Sequence, residues 1–471
     1  MKKNMKKILI LGYIIPLLTL SSCESWFDIS PKSELKADDL FETSQGFRDA
    51  LIGCYGTMAT KDLYGGQLTM TYMDVLGQYY STAGTALNNF ENAYTYNYSE
   101  TKEETRKDNI WKNEYNIIAN LNSLLDRIDD QKGIFATGEY ELFKGEALGL
   151  RAYIHLDLLR LFAASPAMEN GRNRKAIAYV DRYTNELFER LTTEGVLNRI
   201  VGDLEAARTL LAPIDPYGPR HATFDLESLT GVWKGREYRM NYYAVTALLA
   251  RTLLYRNAEG DKTKAYNYAV EVINSTLFPL VSGADLSSQD KNGFIQENVF
   301  SLEYRGLKDE MVDKYFYVSN SNSDFLSINK STLNKIFPTS LSMDYRQQWW
   351  VENSGSYNLI AKYSYSERIP LLKVSEMFLI ATETAPTLGD ANDYFYQLQY
   401  HRGLPETELT AENLQEMLLS EYAKEFLGEG QLFYAYKRMA IQKKPILKTA
   451  LSDYESVYIL PLPTENTYFI D

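Results

Sequence analysis

Three histidines, His155, His221 and His401, are the side chains best suited to acid–base or metal chemistry, and they stand far apart. None has a second His or Cys at ligand spacing, so the sequence offers no zinc site built on imidazole or thiolate. No nucleophile elbow, phosphate loop or dinucleotide fingerprint occurs. There are two cysteines, Cys23 and Cys54. Cys54 sits in Asp49-Ala-Leu-Ile-Gly-Cys54-Tyr, an apolar stretch with helical spacing, and reads as a buried, inert thiol. The 62 acidic side chains must include close pairs by number alone, so their abundance is no argument for a glycosidase dyad. The expectation is a protein that is not an enzyme and needs neither cofactor nor metal.

Binding chemistry is better represented. The chain has 37 Tyr against 20 Phe and 5 Trp, which favours faces that are both flat and hydrogen-bonding. Between Tyr64 and Asp108 the helical pattern breaks at Gly65-Gly66, Gly77, Gly84 and Asn88-Asn89. A loop-rich stretch of that length is a natural place for a ligand site. Tyr79 and Tyr80 stand between Gly77 and Gly84, where the backbone can turn rings outward, and Asn88 and Asn89 supply amide groups nearby. Trp233 lies in Gly231-Val-Trp-Lys-Gly235, and Tyr315 and Tyr317 follow a strand ending near Tyr304. These seven residues are the candidate ligand contacts. The site is expected where residues 64–108 meet an insertion that begins after Val281.

The N-terminus carries its own chemistry. Lys2, Lys3, Lys6 and Lys7 precede the 13 apolar residues Ile8 to Leu20, and Ser21-Ser22-Cys23 follows. The apolar run is too short to span a bilayer, which takes about 20 residues. The order of lysines, apolar core, small residues and Cys resembles the bacterial lipoprotein signal. That resemblance implies a signal peptide over 1–22, cleavage before Cys23, and acyl chains, palmitate among them, on a mature chain of 23–471. Cleavage removes four lysines and no acid, taking the net charge from −13 to −17. So acidic a chain argues against a nucleic-acid partner and against anionic lipid as a docking surface. Membrane lipid is then reached through the acylated Cys alone.

The elements that must position the candidate site are mostly helical. A helix is expected over Ser44 to Met58, after an extended segment from Ser25 to Leu35. Trp111, Tyr115, Ile118, Leu121, Leu125 and Ile128 share one helical face, as do Phe143, Ala147, Leu150, Ile154, Leu158 and Leu161. Gly133 and Gly138 separate them into an antiparallel pair. Further pairs are expected over Met240–Arg256 with Lys264–Asn274, Pro370–Glu383 with Asp390–Tyr400, and Asn413–Leu427 with Phe433–Met439. Thr193 to Leu211 forms an additional helix. The second pair spans 35 residues, close to the ~34-residue tetratricopeptide period. The fold class is therefore mainly α: four tetratricopeptide-like helix pairs in one scaffold. A loop and short-strand insertion over 281–367 would carry strands at Asn298–Tyr304, Gln347–Val351 and Leu359–Tyr363. Arg151, Arg160 and Glu376 read as scaffold residues held by opposite charges.

Several segments together carry a family resemblance. They are Cys23-Glu-Ser-Trp-Phe-Asp-Ile-Ser-Pro31, Asp39-Leu-Phe41, and Lys144-Gly-Glu-Ala-Leu-Gly-Leu-Arg-Ala-Tyr-Ile-His-Leu-Asp-Leu-Leu-Arg-Leu-Phe162. Arg368-Ile-Pro-Leu-Leu-Lys-Val-Ser-Glu-Met-Phe-Leu-Ile-Ala381, His401-Arg-Gly-Leu404, Glu421-Tyr-Ala-Lys-Glu-Phe-Leu-Gly-Glu-Gly430 and Tyr458-Ile-Leu-Pro-Leu-Pro463 continue it. In order and spacing the chain resembles the SusD/RagB nutrient-binding outer-membrane lipoproteins of Bacteroidetes. The resemblance implies an N-terminal part over 23–220 and a C-terminal part over 240–471. It implies capture of a glycan, or of a peptide, at the cell surface, and a SusC-like TonB-dependent transporter as partner. A helix-repeat scaffold that binds only protein is the alternative. Ala163-Ala-Ser-Pro166 and Glu383-Thr-Ala-Pro386 depart from the family pattern, both in scaffold positions.

Overall fold

In the computed structural model the described residues are 39–81, 89–286, 294–319, 325–338, 343–364, 366–442, 453–463 and 469–470. Backbone contacts divide the chain into two units, Met1–Leu40 and Phe41–Asp471. Only residues 39 and 40 of the first are described, so Cys23 and the segment 25–35 lie outside, as does Asn88.

Ten longer helices form the frame of the second unit: α1 (Ser44–Met58), α2 (Thr101–Ile128), α3 (Glu139–Phe162), α4 (Thr193–Leu211), α5 (Tyr242–Arg256), α6 (Asp261–Asn274), α7 (Val374–Thr384), α8 (Leu388–Tyr400), α9 (Leu414–Glu425) and α10 (Gln431–Arg438). Their starts follow local capping rules. Thr43, Thr192, Asn241 and Thr387 each accept a hydrogen bond from a backbone N–H of the first turn. Most helices pack on the next: α1 on α2, α2 on α3, α3 on α4, α4 on α5, α5 on α6, α6 on α7, α7 on both α8 and α9, and α9 on α10. This is the stacked arrangement expected of helix pairs, with α4 inserted between the first and second. α3 is buried almost all round from Leu142 to Phe162, because neighbours cover it on several sides.

The scaffold charges are held as the sequence suggests. Arg151 donates to Asp203 at 2.7 and 2.9 Å, and Arg160 pairs with Asp157. Arg251 grips Glu376 at 2.7 and 2.6 Å, tying α5 to α7. Cys54 is 3% exposed, and burial pushes its thiol up to about 12.

Strands are few and short. β1 (Lys175–Ala178) pairs antiparallel with β2 (Phe188–Thr192), and β7 (Phe469–Ile470) runs parallel to β2. β3 (Asn298–Glu303) pairs antiparallel with β6 (Arg368–Lys373), from Asn298 opposite Lys373 to Glu303 opposite Arg368. β4 (Val351–Ser354) and β5 (Tyr357–Ile360) form a hairpin whose turn uses Gly355 at φ 65°.

Four expectations on element limits need correction. Residues 101–108 are helix, not loop; Glu103 and Glu104 in the first turn of α2 suit its N-terminal dipole. Pro370 to Lys373 is strand, and α7 starts only at Val374. Gln347 to Trp350 belongs to the short helix Tyr345–Trp350, capped by Asp344, and the strand begins at Val351. The strand placed at Leu359–Tyr363 ends at Ile360.

A buried ionic network ties the insertion to the last helix pair. Arg346 pairs with Asp344 and Glu421 at 2.8 Å each, and Arg402 bridges Glu297 and Glu425 at 2.7 and 2.9 Å. Burial alone would raise the Glu421 carboxyl, but Arg346 and Lys424 outweigh it and hold it at about 2.

Candidate functional site

The first two turns of α2 set one wall of a cleft of about 440 Å³. Thr101, Thr105 and Asn109 follow one another at steps of four and line it together with Arg106. Asn89, Phe90 and Gln67 line it as well, as do Lys314 and Tyr315 of the insertion.

Arg106 organises this lining. Its guanidinium pairs with Glu103, donates to the Asn89 carbonyl at 3.0 Å, and lies 4.6 Å over Phe90 and 5.0 Å over Tyr72. Glu103 is buried, so the pair fixes a planar cation at the cleft wall. The buried Phe90 ring meets Tyr315 edge to face, with centroids 6.1 Å apart at 62°. Tyr315 stays half-buried, so part of its ring remains open beside the cleft. Gln67 also lines the cleft, and its buried Oε1 has no hydrogen-bond partner. An unpaired acceptor, a partly open phenol ring and an amide-lined rim suit a ligand with an apolar face and many hydroxyls.

The expected contacts separate clearly. Asn89 and Tyr315, 226 positions apart in sequence, come together in this cleft. Tyr317 is 56% exposed and does not line it. Trp233 is half-buried, its ring against Gly138 at the start of α3. Tyr79 and Tyr80 correct the expectation of outward rings: they are 0% and 1% exposed. The Tyr79 hydroxyl donates to the Ala423 carbonyl at 2.7 Å and that of Tyr80 to the Met70 carbonyl at 2.6 Å. The turns at Gly77 fold these rings into the core, where the phenol oxygens satisfy buried carbonyls. Phe90, Arg106, Thr101, Thr105, Asn109 and Gln67 were not anticipated. The four-residue spacing of Thr101, Thr105 and Asn109 was the available signal, hidden by reading that stretch as loop.

Among the described residues no three His, Cys, Asp or Glu side chains converge to hold a metal ion. The histidines serve the backbone: His155 Nδ1 lies 2.9 Å from the Arg151 carbonyl, His221 Nδ1 3.1 Å from that of Gly218, and His401 Nδ1 2.9 Å from that of Val281. No helix among the described residues is long and apolar enough to cross a membrane.

Comparison with known proteins agrees with this architecture. A SusD-like family model, described as starch-binding and associating with the outer membrane, matches residues 25–220. SusD-like protein P25 of Formosa agariphila is 22% identical over 212 residues, which is 44% of this chain and 38% of that protein. SusD-like protein P2 of the same organism is 24% identical over 311 residues, 62% of this chain and 52% of that protein. The chain thus spans about half or less of the length of these relatives. Surface glycan-binding protein A from Bacteroides uniformis superposes with a TM-score of 0.69 at 17% identity, covering 88% of this chain and 96% of that one. That likeness concerns the fold. Residues 25–220 thus match a SusD-like family model, and the fold over most of the chain's length is that of SusD-like structures.

Proposed function

We propose that this protein is a surface-exposed, lipid-anchored glycan receptor that is not an enzyme. It captures oligosaccharide in the cleft of Asn89, Phe90, Arg106 and Tyr315 and passes it to a SusC-like TonB-dependent transporter. The observation that carries the reading is the Tyr315 ring, braced edge-on by Phe90 and bordered by amide, hydroxyl and guanidinium groups. The description of the family as starch-binding and associated with the outer membrane supports the ligand class and the location. The proposed organisation is a signal peptide over 1–22 and a mature chain of 23–471. Within it, part 23–220 precedes part 240–471, which carries the insertion 281–367. Tyr317 and Trp233 are proposed as contacts for longer glycans outside the cleft.

Calorimetry of the soluble chain against a panel of neutral and acidic oligosaccharides tests the site. Tyr315→Ala should weaken the bound glycan by about 1–2 kcal/mol while leaving thermal unfolding nearly unchanged. Unaltered affinity in that variant moves the site elsewhere, and binding of peptides instead of glycans replaces the ligand class. Pull-down from detergent-solubilised membranes should recover the transporter. Its absence, where other outer-membrane complexes survive, leaves a free-standing receptor.

A further inference from the structure

A second cleft, of about 330 Å³, opens between α1, the segment 234–239 and β3. Its lining sets Lys234, Arg239 and Arg368 against one carboxylate, Glu303. That balance opposes the chain as a whole, whose net charge is −13. Glu303 is also shared, lying 3.5 Å from Arg368 and 3.2 Å from Arg305. Lys234 and Arg239 have no ion-pair partner among the described residues.

Phenol rings hold two of these cations in place. The Arg368 guanidinium lies 3.4 Å over the Tyr238 ring, and that of Arg239 lies 5.9 Å from the Tyr55 ring centre. Tyr55 is itself pinned, donating to Glu146 and accepting from the Met240 N–H at 3.0 Å. A guanidinium stacked on a ring keeps its in-plane N–H groups directed sideways, where they suit a two-oxygen acceptor such as a carboxylate or sulfate. A second feature of the cleft also lacks a partner. Ser301 lines it, is 4% exposed, and has no hydrogen-bond partner for its Oγ. Across the ladder it faces Pro370, which has no N–H to offer. A buried hydroxyl left so is destabilising unless another group reaches it.

We propose that this cleft binds the acidic group of a saccharide, a uronate carboxylate or a sulfate ester, with Arg239, Lys234 and Arg368 as its cationic contacts and Ser301 as a hydrogen-bonding partner. The saccharide part rests on the proposed glycan-receptor function; the acidic part rests on this lining.

Calorimetry with the soluble chain would use tetragalacturonate, a sulfated galactotetraose and neutral maltotetraose as probes. One acidic probe should bind at least about tenfold more tightly than the neutral one, and its affinity should fall as salt rises. Whichever acidic probe binds names the source of the charge. The double variant Lys234→Gln/Arg239→Gln removes two cations that have no ion-pair partner among the described residues and should weaken that probe by about tenfold or more with unchanged unfolding. Gly56→Glu should weaken it too, and Gly56→Gln should not, since an added Cβ at this α1 position meets nothing within 4 Å. Equal affinity for acidic and neutral probes, no binding of either acidic probe, or indifference to the double variant overturns the proposal. If Tyr315→Ala alone abolishes acidic-probe binding, this proposal fails and glycan capture in the first cleft stands. If the double variant alone does so, this cleft stands and the first is misplaced.

Discussion

Tyr79 and Tyr315 show how one residue type takes opposite roles in this chain. Tyr79 is wholly buried, and its hydroxyl serves the Ala423 carbonyl of α9, 344 positions away. Tyr315 is braced at the edge of a cleft with part of its ring open. Tyr79→Phe should therefore cost about 1 kcal/mol of stability, the loss of one buried hydrogen bond, and leave glycan affinity unchanged. Chemical denaturation and calorimetry on the same variant check both halves. A drop in affinity at full stability would return this ring to the binding surface. Arg106 makes the complementary point: a charged side chain within a helix acts as a frame for Phe90, Tyr72 and the Asn89 backbone, a role set by what surrounds it.

At the scale of elements, α3 carries a group that ties its stability to pH. His155 is fully buried on it, stacked on Tyr179 with centroids 4.0 Å apart. Its Nδ1 faces the Arg151 carbonyl at 2.9 Å, and its Nε2 accepts from the Val180 N–H at 3.1 Å. Both contacts are satisfied only by the neutral ring with the proton on Nδ1. Burial, aided by the charge of Arg151, lowers this imidazole from 6.5 to about 3. Between those values the unfolded chain binds a proton that the folded chain refuses. Stability from this group is therefore full above pH 6.5 and falls on acidification at up to about 1.4 kcal/mol per pH unit. Urea denaturation at pH 7 and pH 5 should show the loss. His155→Gln should be less stable at pH 7 but lose less between the two; an identical slope in both proteins would assign the acid sensitivity to other groups.

The whole molecule is a stack of helices whose insertion and loops supply the clefts, with a proposed anchor at the far N-terminus. Cys23→Ala should release the protein to the soluble periplasmic fraction or leave the precursor uncut, as read by fractionation and immunoblot. Acyl chains give firm anchoring only in combination: one alone binds a membrane marginally, two or more hold. Full membrane retention with normal maturation would place the anchor elsewhere. The acidic surface bears on the same scale. A chain at −13 repels acidic ligands at long range, so the cationic lining of the second cleft acts as a local exception.

The helices were legible in the sequence because their signals are local. The helix expected over Ser44 to Met58 is α1, whose buried face includes Phe47, Leu51, Cys54 and Met58, and α4 was bounded by Thr193 and Leu211. Scaffold ion pairs such as Arg251 with Glu376 could be anticipated, since a charge on an apolar helical face needs a partner. Whether a loop ring faces in or out depends instead on contacts hundreds of residues distant. Tyr79 turns inward because a carbonyl of α9 awaits it, and no property of residues 77–84 reveals that carbonyl. Asn89 and Tyr315 meet because the insertion folds back against the start of α2. Pro370 became strand because β3 lay free to pair with it. Periodicity and capping are written into short stretches of chain, whereas a cleft is made by surfaces that only the tertiary structure brings together.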